Sequence, residues 1–211
     1  LYHNYINNKK FEVINITHRD IKDNRVQKKY CDSQQRLNIS YLGPTDSYKG
    51  IDLLESSLKD LLKKGITNWK LNVFGDDKSN SIDLNNDFYE CHGKYSYSDL
   101  SLIFKKTDVL VIPSIWKETF GFIGLEALSY GVPVIISSYV GFKDLIQDNL
   151  NGLIFNPSEK SLSAVLETVI SNREILNKIN QNIIRQKFDY TMVNHTKDII
   201  DLYKDVREER V

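Results

Sequence analysis

The chain has 211 residues, of which 41% are hydrophobic and 27% charged, as is typical of a globular protein. Its 28 Lys and Arg residues balance 28 Asp and Glu residues, so the bulk charge gives no sign of a nucleic-acid or anionic-membrane partner. The two cysteines, Cys31 and Cys91, have no metal-ligand spacing, which indicates a reducing compartment without a disulfide framework. No apolar run approaches the roughly 20 residues of a membrane span, and the N-terminus lacks the layout of a signal peptide.

The first 36 residues are polar and irregular. One alternating stretch, from Phe11 to Thr17, predicts an edge or linking strand. We interpret residues 1–36 as a linker and the remnant of an interdomain region. The only methionine is Met192, so we expect the chain to be part of a longer protein or a processed form.

A regular alternation of strands and helices begins at Leu37. Strands are predicted at LNISYLG, WKLNVFG, DFYECHG, DVLVIPS, VPVIIS and GLIF. Helices are predicted at KGIDLLESSLKDLLKKG, SYSDLSLIFKKT, GFIGLEALSYG and GFKDLIQ, after Pro157, and from near Thr191. This order predicts an α/β domain around a parallel sheet over residues 37–190, followed by a C-terminal helix over residues 191–211. Ligands of such sheets bind beyond the carboxyl ends of the strands.

Lys49 stands at the predicted start of the first helix, after a strand that ends in glycine. The partial positive charge of a helix start disfavours a cation by several tenths of a kcal/mol. A lysine there makes sense if an anion binds at the same place, as at many phosphate sites. A solvated surface lysine is the alternative on spacing alone.

The stretch KETFGFIGLEAL carries two glutamates, Glu118 and Glu126, eight positions apart. If both were helical, they would lie about 12 Å apart along the axis and about 80° apart in rotation. Retaining glycoside hydrolysis needs carboxyl groups about 5 Å apart, so this spacing argues against such a pair. It suits two contacts on one elongated ligand, with backbone N–H groups at Gly121 and Gly124 between them. A loop charge and a surface glutamate are the alternative.

The stretch CHGKYSYSDL follows the short third strand. Its turn at Gly93, Lys94 and Tyr95 could frame a flat ligand such as a nucleobase, although rings at such positions are more often core or rim residues. We assign His92 a structural role and no catalysis. The segment VGFKDLIQDNLNGLIF is typical of ordinary turn chemistry.

Taken together and in this order, these stretches resemble the donor-binding half of the group 1 (family 4) glycosyltransferases, which have the two-domain GT-B fold. The matching segments are YLGPTDSYKGIDLL, LNVFG, CHG, TDVLVIPSIWKETFGFIGLEALSYGVPVI, VGFKDLI and NGLIF. The resemblance covers the chain from about Leu37 to Pro157. It implies a Rossmann-like parallel sheet with helices on both faces, the C-terminal half of a GT-B enzyme.

The resemblance also implies roles for individual residues. Lys49 resembles the lysine that contacts the donor's diphosphate, and Glu118 resembles the glutamate near the donor sugar; these two are the expected catalytic residues. Glu126 resembles the glutamate that accepts hydrogen bonds from the ribose. The other expected donor contacts are the base-contacting turn and the backbone N–H groups that meet sugar and phosphate, at Gly93, Lys94, Tyr95, Phe120, Gly121, Phe122, Ile123 and Gly124.

Two places depart from the family pattern. Pro44 stands where the family has an arginine, so one of two usual diphosphate cations is absent or comes from elsewhere. Phe142 and Asp144 stand in place of a glycine and a glutamate. We expect these last two changes to alter packing rather than chemistry.

The resemblance predicts a nucleotide-sugar-dependent glycosyltransferase that moves a sugar from a nucleoside diphosphate to an acceptor hydroxyl. It implies retention of anomeric configuration and no required metal or other cofactor. We expect the acceptor to be a glycan, a lipid-linked sugar or another hydroxyl compound, as in the synthesis of a bacterial surface polysaccharide.

We further expect that an N-terminal acceptor domain is missing from this chain, which alone would transfer little or no sugar. The expected location is cytoplasmic, with any attachment to the inner face of the membrane made through the missing domain, and no nucleic-acid partner is expected. A non-catalytic nucleotide-binding or regulatory module of the same fold is the alternative that Pro44 favours. A sugar-nucleotide epimerase is a third interpretation, which the match to the transferase segments weakens.

Overall fold

The computed structural model describes residues 13–30, 35–75, 84–85 and 87–208. The strands that it describes are β1 (Leu37–Leu42), β2 (Trp69–Phe74), β3 (Tyr89–Cys91), β4 (Val109–Ile112), β5 (Val134–Ser137) and β6 (Leu153–Phe155). They form one six-stranded sheet in the order β3-β2-β1-β4-β5-β6, and every neighbouring pair is parallel. The helices are α1 (Ile51–Lys63), α2 (Leu100–Lys106), α3 (Phe122–Ser129), α4 (Glu159–Ser171), α5 (Glu174–Arg185) and α6 (Met192–Glu208).

The chain divides into two compact units. Residues 23–187 form the larger unit, which holds the whole sheet and helices α1 to α5. Residues 1–22 and 188–211 form the smaller unit, which holds α6. Within the smaller unit the Thr17 hydroxyl donates a hydrogen bond to the Tyr190 carbonyl, and the rings of Phe188 and Tyr190 meet edge-on with centroids 5.4 Å apart.

The middle of the sheet is buried on both faces. Every residue of β4 and β5 is buried, and so is every residue of β1 except Asn38. Such continuous burial is typical of parallel strands that helices cover on both sides. The fold predicted from the sequence, a Rossmann-like parallel sheet, is confirmed.

Helix α1 shows why the periodic segments pack as they do. Its buried residues Ile51, Leu54, Leu58 and Leu61 recur at spacings of three and four, so they form one stripe along the helix. Helix α1 also makes the most extensive helix–helix contact of the larger unit, with α4, where the Ser163 hydroxyl donates to the Ser57 carbonyl at 3.3 Å. Burying one such side chain contributes about 2 kcal/mol, so these four residues hold α1 in the interior of the unit.

Polar side chains line a groove of about 350 Å³ between α2 and the neighbouring face of β1, β2 and β3. Lys70 and Glu90 form an ion pair across the two outer strands of this face. At the edge of the groove, the Leu102 side chain is 65% exposed. This half of the sheet therefore presents a polar, open face, unlike the buried centre.

Three predicted elements differ from the structure. Helix α5 was missed because its sequence, EILNKINQNIIR, carries seven polar or charged residues among its apolar ones, although Leu176, Ile179 and Ile183 are buried on one side. The segment predicted as a helix at GFKDLIQ is a five-residue 3-10 turn, Gly141–Leu145. The predicted strand Phe11–Thr17 is wrong over residues 13–17, which form no strand, and residues 11 and 12 lie outside the described residues. Cys31 also lies outside them, and Cys91 is half-buried and forms no disulfide with any described residue.

None of the helices described here is both long enough and apolar enough to cross a lipid bilayer.

Candidate functional site

The strand order places a crevice between β1 and β4. The chain leaves β1 toward β2 on one side and leaves β4 toward β5 on the other, so the connections part at the carboxyl ends of these two neighbours. Ligands of open α/β sheets bind at such a switch point. A cleft of about 60 Å³ lies there, lined among others by Pro44, Lys49, Pro113, Glu118 and Ile123. Pockets that enclose a small ligand measure about 300–1,000 Å³, so this cleft holds only part of one.

A glycine brings the two sides of the cleft together. Gly50 precedes α1 with φ 80°, and a Cβ atom there would lie 2.0 Å from the Pro113 carbonyl oxygen. Only glycine therefore allows the start of α1 to touch the end of β4. Two hydrogen bonds seal this contact: the Ile115 N–H and the Ser114 hydroxyl both donate to the Tyr48 carbonyl, at 3.1 Å and 3.2 Å.

The result is an ion pair across the cleft. The Lys49 Nζ atom lies 3.1 Å from Oε1 of Glu118, and the two side chains are 28% and 17% exposed. The ammonium also lies 5.6 Å from the centre of the Tyr48 ring. The two residues that the sequence analysis marked as catalytic thus meet, although they are far apart in the chain.

The loop that carries Glu118 is held by its backbone. The Glu118 N–H donates to the Tyr139 carbonyl at 3.0 Å, and the Gly141 N–H donates to the Glu118 carbonyl at 2.9 Å. These bonds join the loop before α3 to the loop after β5. The Glu118 carboxylate is therefore positioned by fixed backbone rather than by a free loop.

The start of α3 forms the floor of the cleft. Gly121 is its N-cap and supplies no side-chain hydrogen bond, and Ile123 lines the cleft. Beneath this turn lies the ring of Phe142, which is fully buried and meets the Phe120 ring edge-on at 5.6 Å. A Cβ atom at Gly124 would lie 2.3 Å from Cδ1 of Phe142, so this ring packs directly on the α3 backbone. The aromatic residue at this departure from the family pattern supports the helix start from below.

Glu126 lies deeper in α3 and is only 6% exposed. Burial, with the negative charge of Glu126 as the second cause, raises the pKa of Tyr95 to about 12. The same two causes raise the pKa of Tyr130. Glu126 therefore lies close enough to Tyr95 to interact with it electrostatically, and Tyr95 belongs to the turn predicted to contact a nucleobase.

Three aromatic rings pack together at the carboxyl ends of β2 and β3, next to the turn that carries Tyr95. The rings of Phe74 and His92, at the ends of β2 and β3, are nearly parallel with centroids 4.3 Å apart, and Tyr95 meets Phe74 edge-on at 6.5 Å. The His92 Nε2 atom lies 3.1 Å from Oδ1 of Asn72, and burial lowers the pKa of His92. The sequence analysis missed Phe74; its signal was an aromatic residue at the last position of a strand, just before Gly75.

The predicted residues therefore fall into two neighbourhoods. Lys49, Glu118 and Ile123 line the cleft, and Tyr95 lies beside Glu126. Lys94 is exposed on the turn that follows β3 and precedes Tyr95. Within the part of the chain that the structure describes, no cluster of three or more His, Cys, Asp or Glu side chains has a geometry that could hold a metal ion.

Comparisons with known proteins agree on one family for this chain. A family model described as glycosyl transferases group 1 matches residues 24–186. The capsular polysaccharide biosynthesis glycosyltransferase CapM of Staphylococcus aureus is 28% identical over 173 residues, which are 77% of this chain and 44% of that protein. The chain spans less than half the length of the curated relatives it matches.

Solved structures share the fold at low sequence identity. The C-terminal domain of a glycosyl transferase group 1 family protein (LpcC) from Francisella tularensis superposes with a TM-score of 0.62 at 21% identity, covering 71% of this chain and 83% of that one. Anabaena Alr3699/HepE, solved in complex with UDP and glucose, superposes with a TM-score of 0.67 at 17% identity, covering 82% of this chain and 49% of that one. The predicted family and the predicted C-terminal GT-B architecture are confirmed.

Proposed function

Because the chain belongs to the group 1 glycosyltransferase family, we propose that it is the donor-binding domain of an enzyme that transfers a sugar from a nucleoside diphosphate to an acceptor hydroxyl. The observation that carries this proposal is the meeting of Lys49 and Glu118 at the switch point, 3.1 Å apart, at the starts of two helices. A cation and the N–H groups of a helix start are what a departing diphosphate requires.

Lys49 and the start of α3 stabilise the leaving group in this proposal. The bond between the anomeric carbon and the diphosphate oxygen breaks, and its electron pair stays on that oxygen. The Lys49 ammonium and the backbone N–H group of Ile123 meet the negative charge that develops there, whereas the Gly124 N–H, also predicted for this role, already donates to the Gly121 carbonyl at 3.1 Å. The acceptor oxygen bonds to the anomeric carbon and its proton passes to the departing diphosphate oxygen, so we assign no residue of this chain as the base. Retention of configuration, without a metal, is part of the proposal.

The remaining predicted residues bind the rest of the donor. Glu118 orients Lys49 and accepts hydrogen bonds from the donor sugar, with the N–H groups around Phe120, Gly121 and Phe122 meeting other hydroxyls. Glu126 accepts from the ribose hydroxyls, and its burial favours a tight, specific contact. The turn at Gly93–Tyr95, backed by the Phe74 ring, holds the base.

The acceptor is bound, in this proposal, by an N-terminal domain outside this chain, at the cytoplasmic side of a membrane. The CapM relative supports a place in the synthesis of a bacterial surface polysaccharide. The complex of Alr3699/HepE with UDP supports a uridine nucleotide as the first donor to test.

A second candidate is a nucleotide-binding module without transferase activity. Pro44 favours it, because a proline replaces the cation usual at this position, and the Pro44 carbonyl accepts a hydrogen bond from the Tyr41 hydroxyl inside the cleft. Both candidates require nucleotide binding, and only the first requires sugar transfer by a protein that also carries the acceptor domain.

Calorimetric titration of the 211-residue chain with UDP, GDP and ADP tests the shared requirement. We expect one of them to bind, and Lys49→Ala to weaken that binding about tenfold or more, since a hydrogen bond to a charged group contributes about 1.5–3 kcal/mol. Lys63→Ala, at the exposed far end of α1, is the matched control and should leave binding unchanged. Absence of binding, or equal effects of the two lysine substitutions, would refute the site.

A further inference from the structure

The polar groove between α2 and the strands β1, β2 and β3 is unusual for a parallel sheet. Parallel strands are normally buried on both faces under apolar contacts, and asparagine and lysine are depleted from strands. Here Lys70 and Asn72 line the groove from β2, and Asn38 lines it from β1. A polar and open sheet face beside a buried centre is therefore a candidate binding site.

The groove is separate from the cleft at the switch point. Among the described residues, the groove and the cleft have no lining residue in common. The groove has a volume of about 350 Å³, against about 60 Å³ for the cleft. Sites for small molecules measure about 300–1,000 Å³, so the groove is large enough to hold a small ligand without the cleft.

The principal acceptors of the groove are already engaged by the protein. Glu90 forms an ion pair with Lys70 on the neighbouring strand. Oδ1 of Asn72 accepts a hydrogen bond from Nε2 of His92 at 3.1 Å. A ligand that offers only donors would have to compete with these bonds.

Two donors of the groove remain available. Within the described part of the chain, neither the Lys106 ammonium nor the Asn72 side-chain nitrogen has a hydrogen-bond or ion-pair partner. Lys106 still acts on the groove: burial lowers the pKa of His92, Glu90 opposes this, and the charges of Lys70 and Lys106 add to it. The fully charged lining residues are two lysines and one glutamate, so the positive charge of Lys106 is not balanced.

We propose that this groove binds a small organic anion, a carboxylate or a phosphate monoester. The Lys106 ammonium and the Asn72 N–H groups donate to its oxygens, which form strong, charge-assisted hydrogen bonds. Leu102 and Ile103 line the groove from α2 and contact the apolar body of the ligand. Small-molecule sites combine an apolar wall with a few polar groups in this way. This binding site goes beyond the proposed sugar transfer and does not depend on it.

His92 reports the occupation of the groove directly. Its side chain lines the groove and is 30% exposed. The charged groups that act on it are Glu90 on its own strand, Lys70 on β2 and Lys106 on α2. An anion bound at Lys106 offsets the lysine charges, so it should raise the pKa of His92 by about 1. The chain has only four histidines, so NMR can follow each imidazole, and His92→Gln identifies the His92 signal by its loss.

The probes are two anions and their neutral counterparts. Benzoate and phenyl phosphate carry a carboxylate and a phosphate on the same ring, and benzamide and phenol lack the charge. Each is added to the nucleotide-free 211-residue chain, and the imidazole signals are followed from about pH 5 to about pH 8. We expect at least one anion to raise the pKa of His92 and neither neutral compound to do so. The anion that acts distinguishes a carboxylate ligand from a phosphate ligand.

Calorimetry of that anion with three variants tests the residues. Lys106→Gln should weaken its binding about fivefold or more, as expected for the loss of a charged partner. Lys105→Gln is the matched control, because this neighbouring lysine of α2 is also exposed but does not line the groove. Asn72→Asp puts a carboxylate in place of the amide and should abolish detectable binding.

Four results would overturn the proposal. Neither anion raises the pKa of His92; or a neutral compound raises it as much as its anion does; or Lys105→Gln weakens binding as much as Lys106→Gln, which assigns the anion to general surface charge. The fourth is that saturating UDP abolishes the effect of the anion on His92, which assigns the groove to the nucleotide.

Discussion

Replacing Gly124 by alanine tests the packing beneath the α3 helix start. The new Cβ would lie 2.3, 2.5 and 2.9 Å from three carbons of the Phe142 ring. Carbon atoms in contact are about 3.5–4.0 Å apart, so ring or helix must move by more than about 1 Å. Overpacking of a buried site costs about 1–3 kcal/mol, against a gain of about 1 kcal/mol from replacing glycine in a helix. We expect a net loss of up to about 2 kcal/mol in the free energy of unfolding.

The sign should reverse when the ring is removed. In a Phe142→Ala background the clash disappears and the helix preference remains, so Gly124→Ala should stabilise by up to about 1 kcal/mol. Phe142→Ala alone costs about 3–5 kcal/mol, and Phe142→Val, which removes the two nearest ring carbons, is the milder background if that variant unfolds. Urea unfolding of the four proteins, followed by the fluorescence of buried Trp69, measures this cycle. Equal effects of Gly124→Ala in both backgrounds would refute the described contact.

Two further predictions concern the segment before β1. Asn180 is fully buried; its amide donates to the Val26 and Gly131 carbonyls and accepts from the Lys28 backbone N–H. Asn180→Ala should lower the free energy of unfolding in urea by about 2–4 kcal/mol. The control, Asn182→Ala, removes an exposed hydrogen bond in the same helix and should lower it by under about 1 kcal/mol. Burial lowers the pKa of Lys28 to about 8 from 10.5, and its amine donates to the Phe104 and Thr107 carbonyls. Between pH 8 and 10.5 the unfolded chain binds more protons at Lys28 than the folded chain does, so the free energy of unfolding rises with pH. Below about pH 8 the folded protein bears the full cost of burying the charged amine, and this cost is relieved as the pH rises toward 10.5. Relative to Lys28→Met, the wild type should gain up to about 3 kcal/mol over that window, and parallel stability curves would contradict this.

The sequence predicted those elements whose pattern is local. The apolar runs of β4 and β5 and the stripe of Leu54, Leu58 and Leu61 in α1 are visible without tertiary structure, because burial on both faces or on one stripe sets the residue pattern directly. Helix α5 was missed because its buried residues alternate with asparagines and charged residues that dilute the signal.

The site was predicted as a set of residues and not as a geometry. The resemblance marked Lys49 and Glu118, but their ion pair depends on the approach of Gly50 to Pro113, which no local pattern encodes. Likewise, the support that the Phe142 ring gives to α3 needs the loop after β5 to fold back under Gly124. Phe74 and His92 stack because parallel strands align their ends, which follows from strand order rather than from either residue.

The Lys49–Glu118 pair places a counter-charge inside the cleft itself. The carboxylate holds the place of an anion on the ammonium, so the unliganded site has no net charge to attract stray anions from solution. A lone phosphate or carboxylate offers the ammonium little that Glu118 does not already provide. A ligand gains by entering only if it brings several groups at once, two linked phosphates with a sugar or base that finds its own partners. In the proposed donor site, this ion pair should therefore favour an extended ligand over its simple anionic fragments.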